Sequence, residues 1–287
     1  MLFTIHHTAG SGGSIISKAI SAATNSILLS EINPFGSIGK GFAKPFFDPT
    51  SVLFHLTLNS QEISNELKLQ YFHSQLDISI NHSISISKNL IIRDHTHSTY
   101  NFLDKEIYFN EKHVNSLFME AIKNYYDIRN LQKTYPRRNP ILSVRHPLDN
   151  FISARKQTNW LQTYCGLNIS IDNYCKALVK MQKYMTETEN AKVVRYEDLC
   201  IDLEKTLYEI FDKSEEFFEI PSMELINNIR VTGESGRKSN KIEFRNRFTP
   251  DVDTDLIEQI NKSIYYEEFC SINNYNTSHK DFPLKDI

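Results

Sequence analysis

The sequence predicts an α/β protein: three layers, with a central parallel sheet between helices and a helical C-terminal third. Three observations carry this expectation. Apolar runs of strand length recur along the chain, segments with helical spacing separate most of them, and Gly10 and Pro147 fall within three residues of the end of a strand-like run. Buried strands alternating with helices are the pattern of a parallel sheet covered on both faces.

In chain order, the strand-like runs are Leu2–His7, Ser26–Ser30, Val52–Leu58, Leu90–Arg93, Pro140–Arg145 and Lys192–Arg195. Helical spacing marks Ser14–Ala23, Gln61–Ile80, His113–Thr134, Pro147–Leu161, Ile171–Thr188 and Leu199–Phe211 between and after them. Pro147 suits a first helical position, where its missing N–H has no intrahelical partner to lose. Asp149 falls in the same first turn, favourable for the helix dipole. In that helix Leu148, Phe151 and Ile152 form the apolar stripe, and Asn150 and Ser153 are expected towards the polar side. Glu216–Asn228 and Thr254–Cys270 complete the helical last third. No repeat or low-complexity linker divides the chain, so residues 1–272 are expected as one domain. From residue 273 to 287 the composition turns polar, which predicts a loosely held tail.

Composition narrows the function. The 287 residues are 40% hydrophobic, with 18 Phe and 14 Tyr, enough for a sizeable core. A net charge of −3 gives no global attraction to nucleic acid or an anionic membrane,. Basic residues are nevertheless clustered: Arg230–Arg247 holds six Lys/Arg against two Glu, and Arg137–Lys156 five against one Asp. Local basic clusters in an acidic chain fit a confined anion site or a solvated face. The four cysteines show neither a C-x-x-C pair nor a ligand-like spacing and are expected as reduced thiols,. No apolar run reaches membrane-spanning length, and Met1–Gly10 lacks a charged start and long apolar run, so a cytoplasmic protein is expected.

Four junctions carry residues suited to chemistry. The first strand enters Thr8-Ala9-Gly10-Ser11-Gly12-Gly13-Ser14 and then a helix. Glycines let backbone N–H groups close around an anion at a helix N-terminus. No Lys follows Gly13, so this is not the G-x4-G-K-[ST] nucleotide loop. The second junction, Arg93-Asp94-His95-Thr96-His97, places Arg93, His95 and His97 on one side and Asp94 on the other if extended geometry persists. A neutral His there suits proton removal from a hydroxyl, while D-H-x-H also resembles metal-ligand spacing, and a structural role is equally open. In the third, Arg145 stands at a strand end and Ser153 two helical turns later. A guanidinium and a hydroxyl so placed suit one tetrahedral anion. The fourth, Val194–Leu199, presents Tyr196 for stacking on an aromatic base or for packing on the core. Later in the chain, Gly233, Ser235 and Gly236 precede Arg237, Lys238 and Ser239, a grouping suited to closing over a phosphate.

Together these segments resemble the sulfotransferases that use 3′-phosphoadenosine 5′-phosphosulfate (PAPS). The family's Arg at a strand end, Pro shortly after and Ser eight residues beyond is similar to Arg145, Pro147 and Ser153. Its late R-K-G segment and aromatic-basic-Asn-x-Phe-Thr run resemble Arg237-Lys238-Ser239 and Phe244–Thr249, with Ser239 replacing Gly and Phe244 replacing Trp. Its Y-E-D-[LM] is similar to Tyr196–Leu199. The resemblance implies a P-loop NTPase-like sulfotransferase fold. It implies that Arg145, Ser153, Arg237, Lys238 and Ser239 hold the 3′-phosphate, that Tyr196 lies near the adenine, and that Gly10–Ser14 hold the 5′-phosphosulfate. The product would be adenosine 3′,5′-bisphosphate, and the general base would be His95 or His97. The family's P-K-S-G-T-T-W aligns with Ala9–Ile15, so Gly10 stands at the catalytic Lys and Ile15 at the aromatic residue. The task of that Lys then falls to Lys18, which faces either ligand or solvent, or to Lys40, Lys44 or a histidine. The expected reaction is sulfuryl transfer to a hydroxyl or amine of a small-molecule, lipid or glycan acceptor, without a metal. The alternatives are a non-catalytic adenosine 3′,5′-bisphosphate binding protein and a P-loop-like kinase. Pro34, Phe35 and Phe46, with Trp160 and Tyr164, are the acceptor-side candidates.

Overall fold

The computed structural model describes residues 2–32, 64–94, 100–103, 106–109, 138–158, 170–211, 218–231, 242 and 254–278. Five parallel strands form the sheet in the order β2-β3-β1-β6-β7. These are β1 (Leu2–His7), β2 (Ile27–Ile32), β3 (Leu90–Asp94), β6 (Arg138–Val144) and β7 (Lys192–Arg195). A separate antiparallel hairpin, β4 (Tyr100–Leu103) and β5 (Glu106–Phe109), follows β3 and was not expected from the sequence.

Helices cover both faces, as alternation along the buried strands requires. Phe3 and Ile5 of β1 join Ile91, Ile141 and Val194 in a core with Ile16 and Ile20 of α1 (Gly13–Ala23). The same core takes in Leu199 of α5 (Tyr196–Ile201), Leu207 of α6 (Leu203–Ile210) and Ile226 of α7 (Met223–Asn228). On the opposite face, Leu2, Leu90 and Ile92 pack on Phe72, Leu76 and Ile80 of α2 (Asn65–Ser85). Leu142 and Val144 pack on α3 (Pro147–Thr158), α4 (Ile171–Glu187), α8 (Thr254–Lys262) and α9 (Ile264–Ile272).

Two helices expected as continuous are broken by cap residues. Asp202 ends α5 and accepts from Lys205 N at 2.8 Å, starting α6. Ser263 divides α8 from α9, accepting from Tyr266 N at 3.0 Å and donating to Asp172 of α4 at 2.5 Å. The expected Val52–Leu58 strand and His113–Thr134 helix lie outside the described residues. The tail expectation is corrected for residues 273–278: Tyr275 is fully buried and Asn273 is 6% exposed, held by Gln182 of α4 through a reciprocal amide pair. Cys175 and Cys270 are buried free thiols and Cys200 is half-buried. No helix among the described residues is long and apolar enough to cross a membrane.

Candidate functional site

The chain leaves β1 towards β2 on one side of the sheet and leaves β6 towards β7 on the other. The neighbouring carboxyl ends of β1 and β6 are therefore a topological switch point, where open α/β sheets form their ligand crevice. The Thr8–Ser14 turn sits at this point. Its shape is set locally: Ser11 N–H and Oγ both donate to the Thr8 carbonyl, at 3.1 and 2.8 Å, and Ser11 Oγ accepts from Thr8 N at 3.1 Å. Ser143 of β6 donates to the Ser11 carbonyl at 2.7 Å, fixing the turn to the sheet.

Gly10 and Gly12 adopt φ of 81° and 87°, a region that L side chains rarely enter,. A Cβ at Gly10 would lie 2.8 Å from Ser153 Oγ, and one at Gly12 would overlap the Tyr196 ring. A lysine at position 10 would therefore strain this backbone and crowd Ser153. Ser64, Ser170, Asp202, Ser222 and Ser263 cap their helices with a side-chain oxygen, whereas Gly12 offers α1 none. The amides of Gly12, Gly13 and Ser14 have no acceptor among the described residues, which suits them to an anion,.

Arg145 closes the β6 side. One guanidinium nitrogen donates to the Gly10 carbonyl at 3.0 Å, a second pairs with the Asp149 carboxylate, and the group lies 4.6 Å over the Tyr196 ring. The Tyr196 ring is therefore held between Arg145 and the Gly12 backbone, and burial pushes its hydroxyl pKa well up. Asp149 serves as the arginine's partner, beyond its favourable place in the helix dipole. Asn150 and Ser153 do not lie on a polar side as expected; they are 1% and 0% exposed, because α3 is packed under the turn on this face as well. Asn150 donates to Thr8 Oγ1 at 2.7 Å. Ser153 Oγ has no hydrogen-bond partner among the described residues, although it lies beside Gly10.

Arg93 is a site residue that sequence reasoning gave only as a companion to the histidines. Strand alternation turns it towards α1, where it is 1% exposed. It donates to Ser14 Oγ at 2.7 Å and to Ser30 Oγ at 3.2 and 2.5 Å. A permanent cation thus stands at the first turn of α1. Asp94 points to the other face, 3.5 Å from His6 Nδ1.

A second polar group surrounds Glu197. Its carboxylate accepts from His146 N at 3.0 Å and from Tyr275 Oη at 2.8 Å. Complete burial raises its pKa to about 7. The neighbouring His146 imidazole is lowered to about 4, first by burial, and its Nε2 donates to the Asn276 carbonyl at 2.9 Å. Arg195 grips Asp198 with two nitrogens, at 2.7 and 2.8 Å, and donates to the Asn273 carbonyl at 3.0 Å. The Tyr-Glu-Asp run drew attention for Tyr196 alone. The carboxylates beside it bind the C-terminal segment, and only the aromatic Tyr275 in an otherwise polar stretch hinted at that contact.

The structure therefore brings together Gly10, Ser11, Gly12, Gly13, Ser14, Arg145, Ser153 and Tyr196. Lys18 is 3% exposed, which removes the solvent-facing alternative. His95, His97, Lys40, Lys44, Arg237, Lys238, Ser239, Trp160 and Tyr164 lie outside the described residues. Among the described residues no His, Cys, Asp and Glu group forms a metal cage. No protein-family model matches the chain, and no curated protein matches it.

Proposed function

We propose that this protein is a PAPS-dependent sulfotransferase with a P-loop NTPase-like sulfotransferase fold, acting on a hydroxyl or amine of a small-molecule, lipid or carbohydrate acceptor. The observation that carries the reading is the meeting at Gly10 of Arg145 and the unpartnered, buried Ser153 hydroxyl, directly beside an uncapped helix N-terminus. A phosphate oxygen is an acceptor to which this hydroxyl can donate, beside the Arg145 charge. The turn's free amides and the two arginines supply donors and positive charge for two anionic groups.

PAPS, when bound, supplies a sulfuryl group whose transfer breaks its bond to the bridging phosphate oxygen and releases adenosine 3′,5′-bisphosphate. Arg145, Ser153 and the Arg237–Ser239 segment bind the 3′-phosphate, and this remote binding energy serves to orient the reacting group. Tyr196, held between Arg145 and the Gly12 backbone, borders the adenine and fixes the wall against which it lies. The amides of Gly12, Gly13 and Ser14, with the α1 dipole, hold the 5′ anion and favour the charge that develops there. Arg93 holds Ser14 and adds fixed positive charge at that end of the turn. His95 or His97 accepts the proton of the acceptor hydroxyl as its oxygen attacks sulfur.

Gly10, standing where the resembling family has its catalytic Lys, also favours a second reading, a binding module that holds adenosine 3′,5′-bisphosphate without catalysis. Calorimetry with the bisphosphate, ATP and AMP, followed by a labelled-PAPS acceptor screen, tests both. Preferred bisphosphate binding with sulfate transfer is the expected result. Preferred binding without transfer supports the module, and equal or tighter ATP binding overturns both in favour of a kinase.

A further inference from the structure

Residues 273–278 lie across the two strand ends that carry Arg145 and Tyr196, and their contacts form a closed chain. Tyr275 donates to Glu197 Oε2, while Glu197 Oε1 accepts from the backbone N–H of His146, the residue that follows Arg145. The His146 ring in turn donates to Asn276 O and meets the rings of Tyr275 and Tyr266 edge-on, at 5.2 and 6.0 Å. Arg195, one residue before Tyr196, donates to the Asn273 carbonyl. Both residues flanking the arginine–tyrosine pair are thus tied to the same short segment. Glu197, Tyr275 and the His146 ring are all fully or nearly fully buried, so water cannot replace a lost donor,.

We propose that the segment 273–278 is a positioning element of the anion site, in which the Tyr275 hydroxyl, through Glu197, fixes the His146 amide and with it the Arg145 guanidinium. Tyr275 touches no ligand in this arrangement. It acts by setting where Arg145 stands relative to Gly10 and Tyr196. The inference rests on Arg145 serving a nucleotide anion.

Tyr275→Phe keeps the ring and removes only the donor. It is expected to weaken adenosine 3′,5′-bisphosphate binding about tenfold and to speed hydrogen exchange of the His146 amide by a similar factor. Exchange in the centre of α4, around Leu178, should stay at the wild-type rate, because the effect is local. Tyr184→Phe removes a hydroxyl bond to Glu189, which precedes the opposite, amino end of β7, and should change neither quantity. Glu197→Gln tests the same link should Tyr275→Phe fail to fold. It keeps an acceptor for His146 but replaces the oxygen that accepts from Tyr275 by an amide nitrogen, with an expected effect of about threefold,. Unchanged His146 exchange, or faster exchange with unchanged affinity, overturns the positioning role. Absence of bisphosphate binding by the wild-type protein refutes the functional reading instead, and the exchange data then still decide whether Tyr275 fixes the turn.

Discussion

The Thr8–Ser14 turn and the Glu197–Tyr275 group both belong to the carboxyl edge of the sheet, and they treat polar atoms in opposite ways. Around Glu197, both carboxylate oxygens, the His146 amide and the Asn276 carbonyl are paired within the protein. In the turn, the amides of Gly12, Gly13 and Ser14 and the Ser153 hydroxyl find no partner among the described residues. A carboxylate paired through both oxygens fixes backbone geometry, whereas amides left unpaired at a helix N-terminus are a place where a ligand completes the bonding. Arg145 belongs to both, since it bonds the turn at Gly10 and stands next to the residue that Glu197 holds.

That contrast is sharpest where the two regions share a residue. Arg145→Ala leaves the fully buried Asp149 carboxylate without its cation, and removing one member of a buried pair costs about 3–5 kcal/mol,. Urea unfolding should show a loss of that size, and restoring near-wild-type stability in Arg145→Ala/Asp149→Ala would confirm that the stranded charge is the cause. Gly10→Ala should come next, at about 1–3 kcal/mol, because it combines a left-handed backbone with a Cβ against Ser153,.

The Glu197 region predicts a pH signature. Glu197 is raised from 4.5 to about 7, so between these values the folded protein holds a proton that the unfolded chain has released. This group alone makes stability fall as pH rises through that window. His146 is lowered from 6.5 to about 4, so between those values the unfolded chain is the more protonated, and stability rises with pH,. The two slopes, each at most about 1.4 kcal/mol per pH unit, oppose one another where the windows overlap. Glu197→Gln leaves the His146 slope uncompensated. Denaturant melts at pH 4.5 and 6.5 should therefore show a larger gain with rising pH in the variant than in the wild type. An identical pH dependence would place the Glu197 titration elsewhere. The unsaturated region predicts the smallest structural effect: Ser153→Ala removes a hydroxyl that stabilises nothing, so unfolding should shift by less than about 0.5 kcal/mol.

The strands at Leu2–His7 and Lys192–Arg195 were legible to the residue, because buried parallel strands read as short apolar runs. The turn and the Arg145–Pro147 junction were legible too, since Gly and Pro act through local backbone geometry. The burial of Asn150 and Ser153 was not, because it depends on β1 arriving beside β6 from more than a hundred residues away. For the same reason, the pairing of Arg93 with Ser14 has no local signature, and that of Glu197 with Tyr275 has only an aromatic residue in a polar stretch. Helical spacing continued across Asp202 and Ser263, and only their capping bonds reveal the breaks.

Titration of wild-type and Ser153→Ala protein with adenosine 3′,5′-bisphosphate, adenosine 5′-phosphate and ATP probes the unsaturated turn as a nucleotide site. Wild-type binding should be tightest for the bisphosphate, and Ser153→Ala should weaken that ligand alone, by about 1 kcal/mol, at unchanged stability. Equal affinity for the bisphosphate and adenosine 5′-phosphate, with Ser153→Ala indistinguishable from wild type, would contradict a 3′-phosphate site at Arg145 and Ser153.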